Sequence, residues 1–393
     1  MSVHHDQDGP VTLIAVHVPS ELDMAEAHVA NGRLVVRMDE SVRTFHPLWL
    51  LDRSTDPLDV DSTNRQRLFE PTDVPADFAV SAVSANDLGV LDVTFNDGRC
   101  RRVTLDQLRS WTGRDPETPP PPIAWTGLDG APRIHWDDVC NSEWALRETL
   151  GAFHELGCFV IHNAPTTPGS LLDIAGRFGR VSATNFGTLF DVVSRAEPDD
   201  LAYTPVGLSA HLDQPYRRPA PGLQFLHTLV NDAPGGGSTV VDGLAAVEAL
   251  RRHDPSGHEI LCRLPIEFRY DIGSDVVVHT APIIDRNTDG SLRQLRFSTR
   301  LDFAPCVDPD VLDRFYAARR WLAEWLNDPA HQVEFKMSAG DVLVVDNHRV
   351  LHGRRPFDPA GGRRHLQGCY VDHDGPATMW RLLTRRLNQI GTP

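Results

Sequence analysis

PGLQFLHTLVNDAPGGGSTVVDG, residues 221–243, holds two short apolar runs joined by Asn, Asp, Pro and Gly. Each run is bounded by turn formers and is short for a helix, so it reads as a strand. The same grammar recurs in EFRYDI, DVVVHTAPIID, QLRFSTRLDF, GDVLVVDN and RRHLQGCYVD, all separated by Gly, Pro or Asp turns. Helical spacing is confined to fewer places. SEWALRETLGAFHELGCFVIHN (142–163) predicts an amphipathic helix ending near Gly157 and running into a buried strand, and helices are also expected in TPGSLLDIAGRFG (167–179) and PDVLDRFYAARRWLAEWLND (309–328). Many short strands with a few helices outside them fit a mainly β fold, a jelly-roll barrel, better than a parallel α/β sheet.

Upstream, GRDPETPPPPIAW (113–125) carries four consecutive prolines, which forbid helix and favour an extended connector. The chain is therefore expected to divide into a small N-terminal domain (1–112), a Pro-rich linker (113–127) and a jelly-roll domain (128–393). RLVVRM (33–38) and LGVLDVTFNDGRCRRVTL (88–105) make the first domain β-rich, with NDG at 96–98 as the best hairpin turn. A net charge of −16 argues against a nucleic-acid partner, because phosphate binding needs clustered Lys and Arg. Apolar runs such as VLVV (342–345) fall far short of the ~18 residues of a membrane span, so no membrane partner is expected. The polar, acidic start MSVHHDQDGP and six scattered cysteines without a CxxC pair point to a cytoplasmic protein with reduced thiols.

The chemistry starts at SAHLDQPY (209–216). On an extended chain residues i and i+2 share a face, so His211 and Asp213 can reach one point, and a metal is the natural occupant. HxD alone is common by chance, and an isolated histidine here is ordinarily a hydrogen-bonded barrel residue. With a second histidine the set becomes the two-His, one-carboxylate arrangement of non-haem Fe(II) oxygenases, which keeps coordination positions open. GDVLVVDNHRVLHGRRPF (340–357) offers His348, in the turn, and His352, whose preceding apolar run could return it to the barrel. An oxo-acid cosubstrate also needs a carboxylate anchor, for which the planar fork of arginine is suited. GGRRHLQGCYVD (361–372) supplies Arg363 and Arg364, and GGGSTVVDG (235–243) supplies Thr239.

The run FGTLFDVVSRAEPDDLAYTPVGLSAHLDQPYRRPAPGLQFLHTLVNDAPGGGSTVVDG, with NHRVLHGRRPF and RRHLQGCYVD, resembles the γ-butyrobetaine dioxygenase and trimethyllysine dioxygenase family, relatives of taurine dioxygenase. The resemblance spans nearly the whole chain and implies a double-stranded β-helix. Carried over by position, it implies iron ligands His211, Asp213 and His352, a 2-oxoglutarate site of Arg364 assisted by Thr239, and O2 as second cosubstrate. An intact Asp213 argues against a halogenase. The resemblance places an aromatic cage for a quaternary ammonium at Phe186, Phe190, Tyr203 and Tyr370, since ring faces attract such cations. Asp200 and Ser298, with Thr299 beside it, fall at other substrate-contacting positions; an Asp there would repel a substrate carboxylate and welcome an α-ammonium.

The family's N-terminal zinc ligands are replaced by position with Ser54, Asp56, Asp59 and Arg99, so no structural zinc is expected. The resemblance also implies a homodimer. The reading is thus an Fe(II)/2-oxoglutarate hydroxylase of a small quaternary-ammonium substrate, with a different small amino acid or specialised metabolite as the alternative. A jelly-roll sensor without turnover would not need the Arg364 anion site, and a zinc hydrolase would need a motif such as HExxH, which is absent.

Overall fold

The computed structural model describes residues 27–390 apart from 39, 86–88, 114, 116 and 194–203. It divides into two compact units, Met1–Asp115 and Pro116–Pro393. In the first, the antiparallel strands Ala27–Ala30, Arg33–Met38 and Ser41–Phe45 form one sheet, and Val80–Ala85, Val90–Phe95 and Cys100–Thr104 form another. The NDG turn joins the last two strands, and Gly98 takes a φ of +89° that suits glycine. Leu34, Val36, Phe45, Leu91, Val93 and Phe95 close the core of this unit. Thr104 and Gln107 make a reciprocal capping box that starts the Leu105–Thr112 helix.

In the second unit two sheets pack face to face. The larger runs in the order Phe190–Val193, Arg364–Val371, Leu223–Asn231, Val342–Asp346, Cys158–His162 and Arg133–His135, with Val181–Ser182 paired to the second of these. The smaller runs Leu208–His211, Val350–Arg354, Ser238–Asp242, Val333–Phe335. Strand alternation assigns the faces. Cys158, Val160, Leu343, Val345 and Leu366 of the larger sheet meet Val240, Val333 and Val350 of the smaller in one cluster between them. Their neighbours Phe159, Ile161, Phe225, Val342 and Val344 point outward under the Glu143–Leu156, Ser170–Gly176 and Gly375–Ile390 helices. Val241 and Leu351 point outward from the smaller sheet beneath the Gly243–His253, Pro255–Arg263 and Pro309–Asn327 helices. Both faces of the central strands are thus covered, which is why those strands read as unbroken apolar runs. Phe225 is fully buried; truncating it to Ala is expected to cost about 3–5 kcal/mol.

Ser142 caps the Glu143–Leu156 helix by accepting from Ala145 N, and Gly157 ends it at φ +78°. A Cβ on Gly157 would lie 2.6 Å from Val350 Cγ2, so the turn also fits glycine sterically. The stretch expected as an extended connector is tied down at its end. Ile123 N donates to Glu155 O (2.8 Å), and Trp125 N donates to Asp242 Oδ2 (3.0 Å). The buried Arg349 binds Asp242 through Nε and Nη2 (2.8 and 3.0 Å) and reaches Ile123 O (2.6 Å) and Glu155 O (2.8 Å).

QLRFSTRLDF departs from the expected strand: Leu292–Leu295 stops short, and Leu301 N donates to Ser298 O to close a turn through Thr299 and Arg300. Gly243–His253, Pro255–Arg263 and Gly375–Ile390 are among the helices that lacked a sequence reading. The first two carry start signals at Asp242 and at Asp254-Pro255, whose carboxylates accept from Leu244 N and Gly257 N. No helix among the described residues is long and apolar enough to cross a membrane.

Candidate active site

His211 ends its strand and pairs directly with His352 on the neighbouring strand, so their rings sit 4.4 Å apart between centroids. Asp213 follows two residues later, its backbone gripped by Asn347: Asp213 N donates to Asn347 Oδ1 (2.8 Å), and Asn347 Nδ2 donates to Asp213 O (3.0 Å). Asp213 Oδ1 lies 3.3 Å from His211 Nε2 and 3.6 Å from His352 Nε2. The three ligand atoms fall within 4.8 Å of one another. His348, the other candidate, lies instead with Asp346 and His373.

The surroundings suit a metal. His211 Nδ1 is 2.9 Å from Ser209 O, which places the proton on Nδ1 and leaves Nε2 a free lone pair. Burial, then neighbouring His211, pushes His352 down to about 3, so its ring is neutral. Burial alone would raise Asp213, but His352, His211 and the Tyr370 hydroxyl outweigh it and hold the carboxyl well below its usual range. Its second oxygen is occupied: Tyr370 Oη donates to Asp213 Oδ2 at 2.7 Å, and Gln224 Nε2 donates to the same atom. One oxygen faces the histidines while the other is held by protein.

Arg364 shares the inward face of its strand with Leu366 and Tyr370 by alternation. Its Nε is buried without a hydrogen-bond partner, its guanidinium lies 5.3 Å from the Phe357 ring centroid, and burial lowers it to about 10. A half-buried guanidinium whose Nε has no partner among the described residues suits a dicarboxylate. Arg363 instead precedes the strand and accepts through its carbonyl from Asp232 N and Ala233 N. Thr239 is not brought to this face. Its partner in register is Gly353, whereas Val240 is paired with His352. A Cβ on Gly353 would lie 2.7 Å from Thr239 Oγ1, so the hydroxyl projects with Gly353 and away from the face of His352. Ser238, paired with Arg354, is the hydroxyl on the inward face. Arg354, on the same face as His352, binds Thr204 O and Val206 O and was missed; its spacing of two from His352 was the available signal.

Beside Asp213 opens a cavity of about 90 Å³ lined by Phe186, Phe190, Tyr216, Tyr270, Tyr370, Ser298 and Arg300, with His211 at its wall. Phe190 stands 5.4 Å from Tyr370 and 6.0 Å from Phe186, and Tyr270 stands 5.6 Å from Phe186 and 5.1 Å from Tyr216. Tyr216 and Tyr270 were not read from the sequence, although Tyr216 closes the SAHLDQPY run. Ser298 is 1% exposed and its Oγ has no partner among the described residues. Thr299 is exposed and does not line the cavity. Asp200 and Tyr203 lie outside the described residues.

A jelly-roll sandwich with a two-His, one-carboxylate triad between its sheets and a half-buried arginine with an unpartnered Nε on the inner face, among the described residues, defines an Fe(II)/2-oxoglutarate-dependent oxygenase. Residues 119–370 match the family model "Taurine catabolism dioxygenase TauD, TfdA family". A γ-butyrobetaine dioxygenase of Pseudomonas sp. (strain AK-1) is 38% identical over 355 residues, covering 88% of this chain and 92% of that protein. Dioxygenase str8 of Strobilurus tenacellus is 28% identical over 380 residues, 90% of this chain and 87% of that one. The mitochondrial trimethyllysine dioxygenase of Rattus norvegicus is 27% identical over 387 residues, 95% of this chain and 91% of that one. The chain belongs to the taurine catabolism dioxygenase TauD, TfdA family, and its cofactors are iron, 2-oxoglutarate and O2.

Proposed function

We propose that this oxygenase hydroxylates an unactivated C–H bond of a small quaternary-ammonium compound resembling γ-butyrobetaine or trimethyllysine. The observation that carries the reading is the ring-lined cavity of Phe186, Phe190, Tyr216, Tyr270 and Tyr370 abutting the Asp213 carboxylate. Each ring face attracts a quaternary ammonium by about 0.5–2 kcal/mol. The names of the γ-butyrobetaine and trimethyllysine dioxygenases support the same substrate class.

In this reading His211, Asp213 and His352 hold Fe(II), and Arg364 binds the distal carboxylate of 2-oxoglutarate. Iron bound there supplies the oxidising power by which O2 hydroxylates the substrate while 2-oxoglutarate loses CO2 and becomes succinate. The protein's share is placement: Asn347 fixes the Asp213 backbone, Tyr370 and Gln224 fix its outer oxygen, and the rings exclude water. The protein acts as a cytoplasmic homodimer on a small molecule, without nucleic-acid or membrane partners; the acidic net charge supports the last point. Its N-terminal unit holds no zinc. The buried Asp59, at one former ligand position, is paired with Arg101, and elemental analysis finding one zinc per chain there would overturn this.

The test is succinate formation by Fe(II)-loaded protein with γ-butyrobetaine, trimethyllysine and their unmethylated analogues. Turnover coupled only to trimethylated compounds is the expected result. Equal, slow uncoupled consumption of 2-oxoglutarate with every compound would remove the cage and point to another amino acid or specialised metabolite.

A further inference from the structure

A second constellation of metal-type donors lies across the turn from the iron ligands. Asp346 ends its strand, His348 sits in the turn before the strand of His352, and His373 follows the strand of Tyr370. One ligand atom from each falls within 4.8 Å of the others. His373 Nε2 is 3.4 Å from Asp346 Oδ1, and the two imidazoles stack at 4.4 Å with 14° between planes. His348 Nε2 is 3.2 Å from Ala220 O, which places its proton there and leaves Nδ1 as the lone pair. His154 borders the same cavity, of about 820 Å³, and its Nε2 is buried without a hydrogen-bond partner among the described residues. Three arginines on the cavity wall are matched locally: Arg349 by Asp242, Arg286 by Glu259 and Arg293 by Asp285.

We propose that Asp346, His348 and His373 form a second divalent transition-metal site. Two imidazoles and one carboxylate are the borderline donors that take Zn²⁺, Co²⁺ or Ni²⁺, whereas Mg²⁺ and Ca²⁺ favour oxygen alone. Parallel rings cannot both aim lone pairs at one ion. Binding therefore turns His373, whose side chain is 52% exposed, while His348 stays fixed by Ala220. Asn347, between two of these ligands, grips the Asp213 backbone, so an ion here braces the turn that positions the iron carboxylate.

The test counts Co²⁺ bound to the full-length, tag-free chain at micromolar free metal, with the visible spectrum recorded alongside. Two equivalents are expected for the unaltered protein and one for His348→Ala/His373→Ala, with the remaining one abolished only when His211→Ala is added. A single equivalent in the unaltered protein, or two in the double variant, overturns the proposal. If the double variant binds none and has lost its circular-dichroism signal, His373→Leu decides instead. That change is at a half-exposed position, and retention of both equivalents by it would also overturn the site.

Discussion

Tyr370→Phe removes one oxygen from the barrel and leaves the ring in the substrate cavity. That oxygen donates to Asp213 Oδ2 at 2.7 Å, and Gln224 is the other donor to the same atom. A hydrogen bond to an ionised acceptor contributes about 1.5–3 kcal/mol, and loss of an outer partner of a metal ligand lowers metal affinity by about 10–100-fold. Gln224 remains, so the effect should fall at the weak end. Fe(II) affinity is expected to drop about tenfold, or ~1.4 kcal/mol. Anaerobic calorimetry with Fe(II) in the presence of 2-oxoglutarate reads this directly. At saturating iron, the substrate KM should move less than about twofold, because the ring face is kept. Unchanged Fe(II) affinity with a raised substrate KM would mean that the hydroxyl serves the cavity and that the carboxylate is held by Gln224 alone.

Arg364→Ala should raise the KM for 2-oxoglutarate by at least ~30-fold, since truncating one partner of a buried charge pair costs about 2–5 kcal/mol; a change under about threefold would place the cosubstrate elsewhere. Thr239→Val should leave that KM within about twofold, because the side chain stands on the opposite strand face from His352; a tenfold rise would refute the register. His227 is fully buried with neither ring nitrogen partnered among the described residues, and burial lowers it to about 4 from 6.5. The unfolded chain therefore binds the proton first. Stability is full above pH ~6.5 and declines as pH falls toward ~4, by about 3 kcal/mol from this residue. Urea midpoints of His227→Leu should fall less steeply with acidification than those of the unaltered protein, and parallel profiles would refute the assignment.

Most of the central strands and the Glu143–Leu156 and Pro309–Asn327 helices were legible because their signals are local: apolar runs between Gly, Pro and Asp turns, and a cap at Ser142 answered by Gly157. The pairing of His211 with His352 is not local. HxD names two of the proposed ligands, but only the ladder between distant strands decides which downstream histidine faces them. Thr239 shows the limit most clearly. One residue along a strand reverses the face, and SerThr offers a hydroxyl on either side, so composition cannot choose between Ser238 and Thr239. Ser298 was reached although its stretch was read as a strand, because a turn brings it to the same cavity. Gln224 and Tyr270 left no trace in the sequence, since nothing near either residue in the chain says that a carboxylate or an aromatic ring waits across the barrel.

The fastening of Ile123 and Trp125 bears on how this chain can be dissected. The proline run invites a cut just beyond it, at residue 126, to isolate the oxygenase. Such a cut would strip Asp242 of the Trp125 amide and Arg349 of the Ile123 carbonyl, leaving two buried charged groups short of partners at about 1–3 kcal/mol each. Asp242 also caps the Gly243–His253 helix, and Arg349 stands three residues before His352, so the damage would reach the proposed iron site from behind. A graft or truncation that keeps residues 117–125 with the barrel preserves that seam.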